Sequence, residues 1–166
     1  MVTVTDESQQ EIVPLSAEEE AFVRAFFRAL LIVPRALDAD LLTKQHMSVN
    51  EYNTLMHLSE APDRRLRMSQ LAAISTLSLS GMTRIMNRLE ALGLVQRERC
   101  ASDGRGFEAV LTDAGLDRLR EAWPTHLSSV RRHVLDHLQA VDLQAITTAL
   151  QHFAADAQCD PERAQL

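Results

Sequence analysis

Apolar positions recur at helical spacing in six stretches of the chain. The first helix opens at the capping-box pattern Ser16-Ala-Glu-Glu19, with Phe22, Val23, Phe26, Phe27, Leu30, Leu31 and Val33 behind it. Pro34 should kink or restart this helix, which then ends near Leu42. A second capping box, Ser48 to Glu51, begins a helix over about 49–60, closed by Ala61-Pro62-Asp63. Arg64 to Met68 reads as a basic connection that can supply a strand. Ser69 caps a short helix over about 70–75, and Thr76-Leu77 is a turn. Ser78 then caps a helix over about 79–92, with Met82, Ile85, Met86, Leu89 and Leu92 on its apolar side and Gly93 ending it. Residues 94–99 and 107–111 form a hairpin whose loop, 100–106, carries two glycines. Thr112 or Asp113 caps a long helix to about Leu138, bent by Pro124 near Arg120 to Ala122. Asp142 caps a last helix to about Ala155.

The predicted fold is mainly α with a small antiparallel β-wing. A winged helix-turn-helix lobe spans 48–112, and a helical dimerisation region is built from 15–47 and 113–156. Residues 1–14 read as a disordered tail and 157–166 as a frayed end. The first helix bears more apolar surface than one core seam needs, which predicts burial against a second copy. No run approaches 18 apolar residues and the N-terminus is acidic and polar, so neither a membrane span nor a signal peptide is predicted and a cytoplasmic location is expected.

Charge localises the chemistry. Residues 1–62 carry 4 basic and 10 acidic side chains, 64–105 carry 8 and 3, and 106–166 carry 5 and 9. A basic middle between acidic flanks is the footprint of a local DNA-contacting face, not of a broadly basic architectural binder. Phosphate loops, GxSxG elbows, HExxH pairs and paired-carboxylate motifs are absent from the sequence, so neither catalysis nor a cofactor is predicted.

The combination Ser69-Gln-Leu-Ala-Ala, Gly81-Met-Thr-Arg84, Arg88-Leu-Glu-Ala91, Gly93-Leu-Val95, Asp103-Gly-Arg105 and Leu111-Thr112-Asp-Ala-Gly115 resembles the MarR family of winged-helix transcriptional regulators. The resemblance implies a homodimer joined through its terminal helices. It implies a repressor that binds a pseudo-palindromic operator of double-stranded DNA and is released by a small ligand, aromatic or phenolic, or by oxidation.

In the helix over 79–92, Ser80, Thr83, Arg84, Asn87 and Arg88 share one side, with Ser78 at its start. Arginine pairs with guanine O6 and N7, asparagine with adenine N6 and N7, and hydroxyls at a helix N-terminus can donate to phosphate. Arg97, Arg99 and Arg105 converge on the hairpin. By the resemblance, Arg105 enters the minor groove and Asp103 fixes the loop or that arginine by a charge-assisted hydrogen bond; family members often carry Asp-Arg-Arg where this chain has Asp103-Gly104-Arg105. Arg67, with Arg64 and Arg65, is a candidate for the DNA backbone.

Control of DNA binding has three candidates. Effector-lining residues in the resemblance would be Arg24, Arg28, His46, Tyr52, His57, Trp123 and His126. His133 and His137, at i and i+4, are two-thirds of a minimal metal site without a third ligand in view. Cys100 lies in the wing beside Arg97 and Arg99, where oxidation would set a bulky group against DNA, whereas Cys159 falls in the tail.

Overall fold

The structure is a computed structural model and describes residues 13–99 and 106–158. Six helices and three strands follow in order: α1 (Ala17–Gln45), α2 (Val49–Glu60), β1 (Arg65–Arg67), α3 (Met68–Ile74), α4 (Leu79–Ala91), β2 (Val95–Arg99), β3 (Phe107–Leu111), α5 (Asp113–His133) and α6 (Leu143–Gln158). The expected class holds: a mainly α chain with a small antiparallel sheet, in the strand order β1-β3-β2.

Both capping boxes form. Ser16 and Ser48 each accept from the backbone N–H three residues on, while Glu19 and Glu51 reach back to the cap. Three boundaries differ from the sequence reading. The first helix does not restart at Pro34 or stop at Leu42; it runs unbroken to Gln45, where His46 turns left-handed at φ 51°. Pro34 sits inside the helix, and both it and Leu30, whose carbonyl loses its i+4 donor, are exposed in the single chain. Ser69 does not cap α3. β1 runs straight into this helix, so Arg67 is the cap, and Gln70 accepts from its N–H at 3.2 Å. The long helix ends at His133, not near Leu138, because Val134 leaves helical geometry (φ −131°, ψ −69°) and a 3-10 turn follows.

One core joins the elements. Leu41 and Met47, then Tyr52, Leu55 and Leu58 of α2, meet Leu71 of α3, Met82, Met86 and Leu89 of α4, Val95 and Ala109 of the sheet, and Leu119 and Ala122 of α5. Outside it lie two faces of a different kind. α1 exposes Phe22, Phe27 and Leu31 at 58%, 59% and 62%. α6 buries no side chain among those described, touching α1 through an edge-on contact of Phe153 with Phe26. Among the described residues no helix is long and apolar enough to cross a membrane.

The lobe is joined to α5 at one crowded point. Thr112 caps α5 by accepting from the Gly115 N–H at 3.0 Å, and its hydroxyl lies 2.8 Å and 3.0 Å from the Gly93 and Leu94 carbonyls. A Cβ on Gly115 would stand 2.0 Å from the Leu94 carbonyl oxygen. Alanine ordinarily favours a helix interior over glycine by about 1 kcal/mol. Here the backbone clash outweighs that gain, so Gly115→Ala is expected to lower unfolding stability by about 1–3 kcal/mol in urea denaturation.

Candidate nucleic-acid interface

α4 is the exposed helix of a helix-turn-helix. Ser75, Thr76 and Leu77 make the turn after α3, with Thr76 left-handed at φ 53° and the Leu77 N–H donating to the Ala72 carbonyl at 2.9 Å. Ser78 caps α4 by accepting from the Gly81 N–H at 3.1 Å, and its oxygen is 3.1 Å from that of Ser80. Met82, Met86 and Leu89 anchor one side in the core. The opposite side leaves Ser80, Thr83, Arg84 and Asn87 exposed together. Thr83 donates its hydroxyl to the Leu79 carbonyl at 2.8 Å, leaving its oxygen as an acceptor. The side chains of Arg84 and Arg99 have no hydrogen bond or ion pair among the described residues, so both are free to meet a polyanion.

The other arginines fare differently. Arg88 sits a quarter-turn around α4 and turns back. Its Nε is 2.8 Å from the carboxylate of Glu51, a side chain only 5% exposed, and a second nitrogen donates to the His46 carbonyl at 3.4 Å. Glu51 also accepts from the Ser48 N–H and hydroxyl, so Arg88 neutralises a buried capping carboxylate and ties α4 to α2. Arg64 pairs with Asp113 at 2.9 Å, and Arg65 with Glu98 and Glu108 at 3.3 and 3.5 Å. These two arginines of the basic connection brace the sheet edge and the start of α5. Arg67 is half-buried at the head of α3. Asp103, Arg105 and Cys100 lie outside the described residues, as does Cys159.

Arg97 is the least expected of the set. It stands opposite Ala109 in the β2–β3 register, and Ala109 is fully buried, so the Arg97 side chain faces inward. It is 24% exposed and reaches α4 by three routes: to the Glu90 carboxylate at 3.1 Å, the Thr83 carbonyl at 3.3 Å and the Asn87 side-chain oxygen at 2.7 Å. Its own N–H donates to Glu90 at 3.2 Å. Alternation from the buried Val95 is the sequence signal that places Arg97 on this face; charge counting alone misses it.

The effector candidates scatter. Arg24 pairs with Glu20 on the exposed first turns of α1, and Arg28 is exposed in the same stretch. His46 borders a cavity of about 400 Å³ together with Glu51, Arg88 and Arg118. His57 is half-buried on α2. Tyr52 and Trp123 do meet, across a cavity of about 270 Å³ between α2 and α5 that also takes in Met56, Glu60 and Arg120. Arg120 lies one turn before Trp123 on α5, a spacing that makes it readable in retrospect. Tyr52 stacks on His126 at 4.2 Å, and neither the Tyr52 hydroxyl nor His126 Nδ1 has a partner among the described residues. The metal pair dissolves: α5 ends at His133, so His137 falls in the 3-10 turn beyond the helix. His133 instead lies 3.1 Å from Asp40, which also accepts from Ser129 and Arg132. These contacts hold the Asp40 carboxyl far below its ordinary range, the Ser129 hydroxyl contributing most.

Burial without a partner pushes the His126 pKa below its ordinary value. The folded chain therefore holds this imidazole neutral to a lower pH than the unfolded chain, which takes up a proton as pH falls through about 6.5. His126 thus contributes stability above that pH which is lost below it. Unfolding midpoints measured between pH 7.5 and 5 should fall with acidification, and His126→Phe, which keeps the stack on Tyr52, should flatten that slope.

Residues 47–106 match the model of the MarR family. Among solved structures, the chain is similar to AbsC, a MarR family transcriptional regulator from Streptomyces coelicolor, at 35% identity and a TM-score of 0.81, covering 89% of this chain and 99% of that one. It is similar to Sco3205 of the same organism, a MarR family regulator solved in complex with DNA, at 34% identity and 0.83, covering 90% and 94%. Among curated proteins it is 31% identical over 84 residues to the HTH-type transcriptional repressor YetL of Bacillus subtilis (strain 168); that match spans 51% of this chain and 50% of the relative.

Proposed function

The chain belongs to the MarR family of winged helix-turn-helix transcriptional regulators, and on that premise we propose that two copies bind a pseudo-palindromic operator as a repressor whose release is governed by a small aromatic ligand. The observation that carries the DNA reading is the outer face of α4. Ser80, Thr83, Arg84 and Asn87 stand together in solvent, with Arg84 uncommitted. The Ser78–Ser80 pair at the start of α4 suits a phosphate oxygen, the place where helix N-termini receive anions. The DNA-bound relative Sco3205 shares this fold over most of its length.

Pairing rests on surface economy. The aromatic face of α1 and the exposed Leu143, Leu150 and Phe153 of α6 adjoin through the Phe26–Phe153 contact. A patch of this size on an isolated chain is unfavourable in water and is accounted for by a second copy. The helical dimerisation region is accordingly α1 with α5 and α6, and the reading lobe is the segment 48–112. Two α4 helices one turn of DNA apart, about 34–36 Å, give an operator of roughly 16–20 bp.

Binding of the chain to palindromic and scrambled duplexes tests this directly. Arg84→Ala should weaken operator binding by about 1–3 kcal/mol and relax preference at the base it reads. Equal affinity of the unaltered chain for both duplexes at fixed salt overturns sequence-specific regulation.

The cavity between Tyr52 and Trp123 supports the ligand reading. Its wall is mostly apolar, with Glu60 and Arg120 in the lining, the latter paired to Asp117 at 2.9 Å, and a phenol that has no partner among the described residues, a setting for a phenol or an aromatic carboxylate. Trp123 is the sole tryptophan, so its emission reports on this site alone. Titration with benzoates and phenols should quench it and release DNA over the same concentration range, and Trp123→Ala should abolish the release. Release that persists in Trp123→Ala places the effector elsewhere.

A further inference from the structure

Asn87 lies on the exposed face of α4 and Arg97 on the inward face of β2, and one contact between them changes what Asn87 can read. Arginine has five donors and no acceptor, so the atom of Asn87 that lies 2.7 Å from its guanidinium must be the side-chain oxygen. The amide cannot flip without setting an NH2 group against a cation. Arg97 in turn cannot drift: Glu90 accepts from it twice, through the guanidinium and the backbone N–H, and the Thr83 carbonyl accepts a further bond. The guanidinium is mostly covered and belongs to a residue paired within the sheet. The wing therefore sets the orientation of a side chain on the reading helix.

We infer that Asn87 reads the major groove as a donor and selects guanine over adenine, with Arg97 and Glu90 as the residues that impose this choice. The inference rests on the DNA-reading function proposed above. An unconstrained asparagine pairs with adenine by donating to N7 and accepting from the N6 amino group. The accepting half of that pair is the oxygen held by Arg97. That oxygen keeps a second lone pair, but a base amino group reaching it would lie beside a positive charge that repels it. Guanine presents two acceptors, N7 and O6, and no donor on its major-groove edge. The Asn87 NH2 group, pointed away from the cation, meets both. Adenine loses half its usual partnership, thymine offers the single acceptor O4 beside its methyl group against guanine's two acceptors, and cytosine presents only an amino group.

Selection of bound sequences from double-stranded DNA randomised over 20 bp, with the full chain, tests this in stages. Asn87→Ala identifies the base pair that Asn87 reads, as the position where preference collapses. At that pair the unaltered chain should favour G·C over A·T by on the order of tenfold. Arg97→Met, which keeps length and removes every donor, should move the preference there to A·T while the Arg84 position keeps its own. Glu90→Gln, which loosens Arg97, should move it part of the way. An A·T preference at the Asn87 position in the unaltered chain overturns the inference, and this outcome does not depend on whether Arg97→Met folds. Retention of G·C in a folded Arg97→Met removes Arg97 from the role. A selection pattern unchanged by Asn87→Ala also overturns it, while leaving regulation by Arg84 standing. Failure of the unaltered chain to select any sequence removes the premise instead.

Discussion

The joint between Leu94 and Gly115 is the constraint on which the rest of the molecule depends. Within a few residues the reading helix ends, the wing begins, the wing returns and the long helix starts. Gly93 supplies the left-handed turn (φ 71°), Thr112 joins it to α5, and Gly115 lets the α5 backbone approach the Leu94 carbonyl as no other residue could. A single threonine hydroxyl serves both the cap of α5 and the exit from α4. The position of the wing relative to α5 is set here, and α4 inherits it through Arg97.

Cations in this chain divide by duty. Only Arg84 and Arg99 among the described lobe arginines are uncommitted, while Arg64, Arg65, Arg88 and Arg97 are each bonded to carboxylates of the same chain. Two of these pairs reach inward. Glu51 is buried, and removing Arg88 would strand its charge beside the start of α2, a costlier change than losing an exposed ion pair. A basic segment thus serves two ends: part of its charge stays open to solvent, and part holds that face in shape.

Much of the fold was legible because its signals are local. Ser16 and Ser48 with their glutamates, Ser78, Gly93 and Thr112 each mark a helix end by chemistry confined to one turn. One misplaced boundary was decided by distant contacts. α1 continues past Leu42 because Gln45 is held from α5 by Thr125 and Arg118, eighty and seventy-three residues away. In the site, exposure of Ser80, Thr83, Arg84 and Asn87 follows from periodicity alone. The duties of Arg88 and Arg97 depend on Glu51 and Glu90, partners that strand register and helix packing bring near, and no count of charges reveals which arginine is spent.

The clamp on α1 is one-sided. Asp40 is held by Ser129, Arg132 and His133, and Gln45 by Thr125 and Arg118, all within the last two turns of the helix. The stretch from Ala17 to Val33 projects beyond these fastenings, about 24 Å at the ordinary rise per residue. Such a helix is a lever with its fulcrum at α5: a tilt of ten degrees at the fastened end carries the free tip through about 4 Å. Where two tips are joined, the relation runs backwards. In the pairing proposed above, a displacement of a few ångströms at a tip is geared down into a slight turn of the lobe fastened to it.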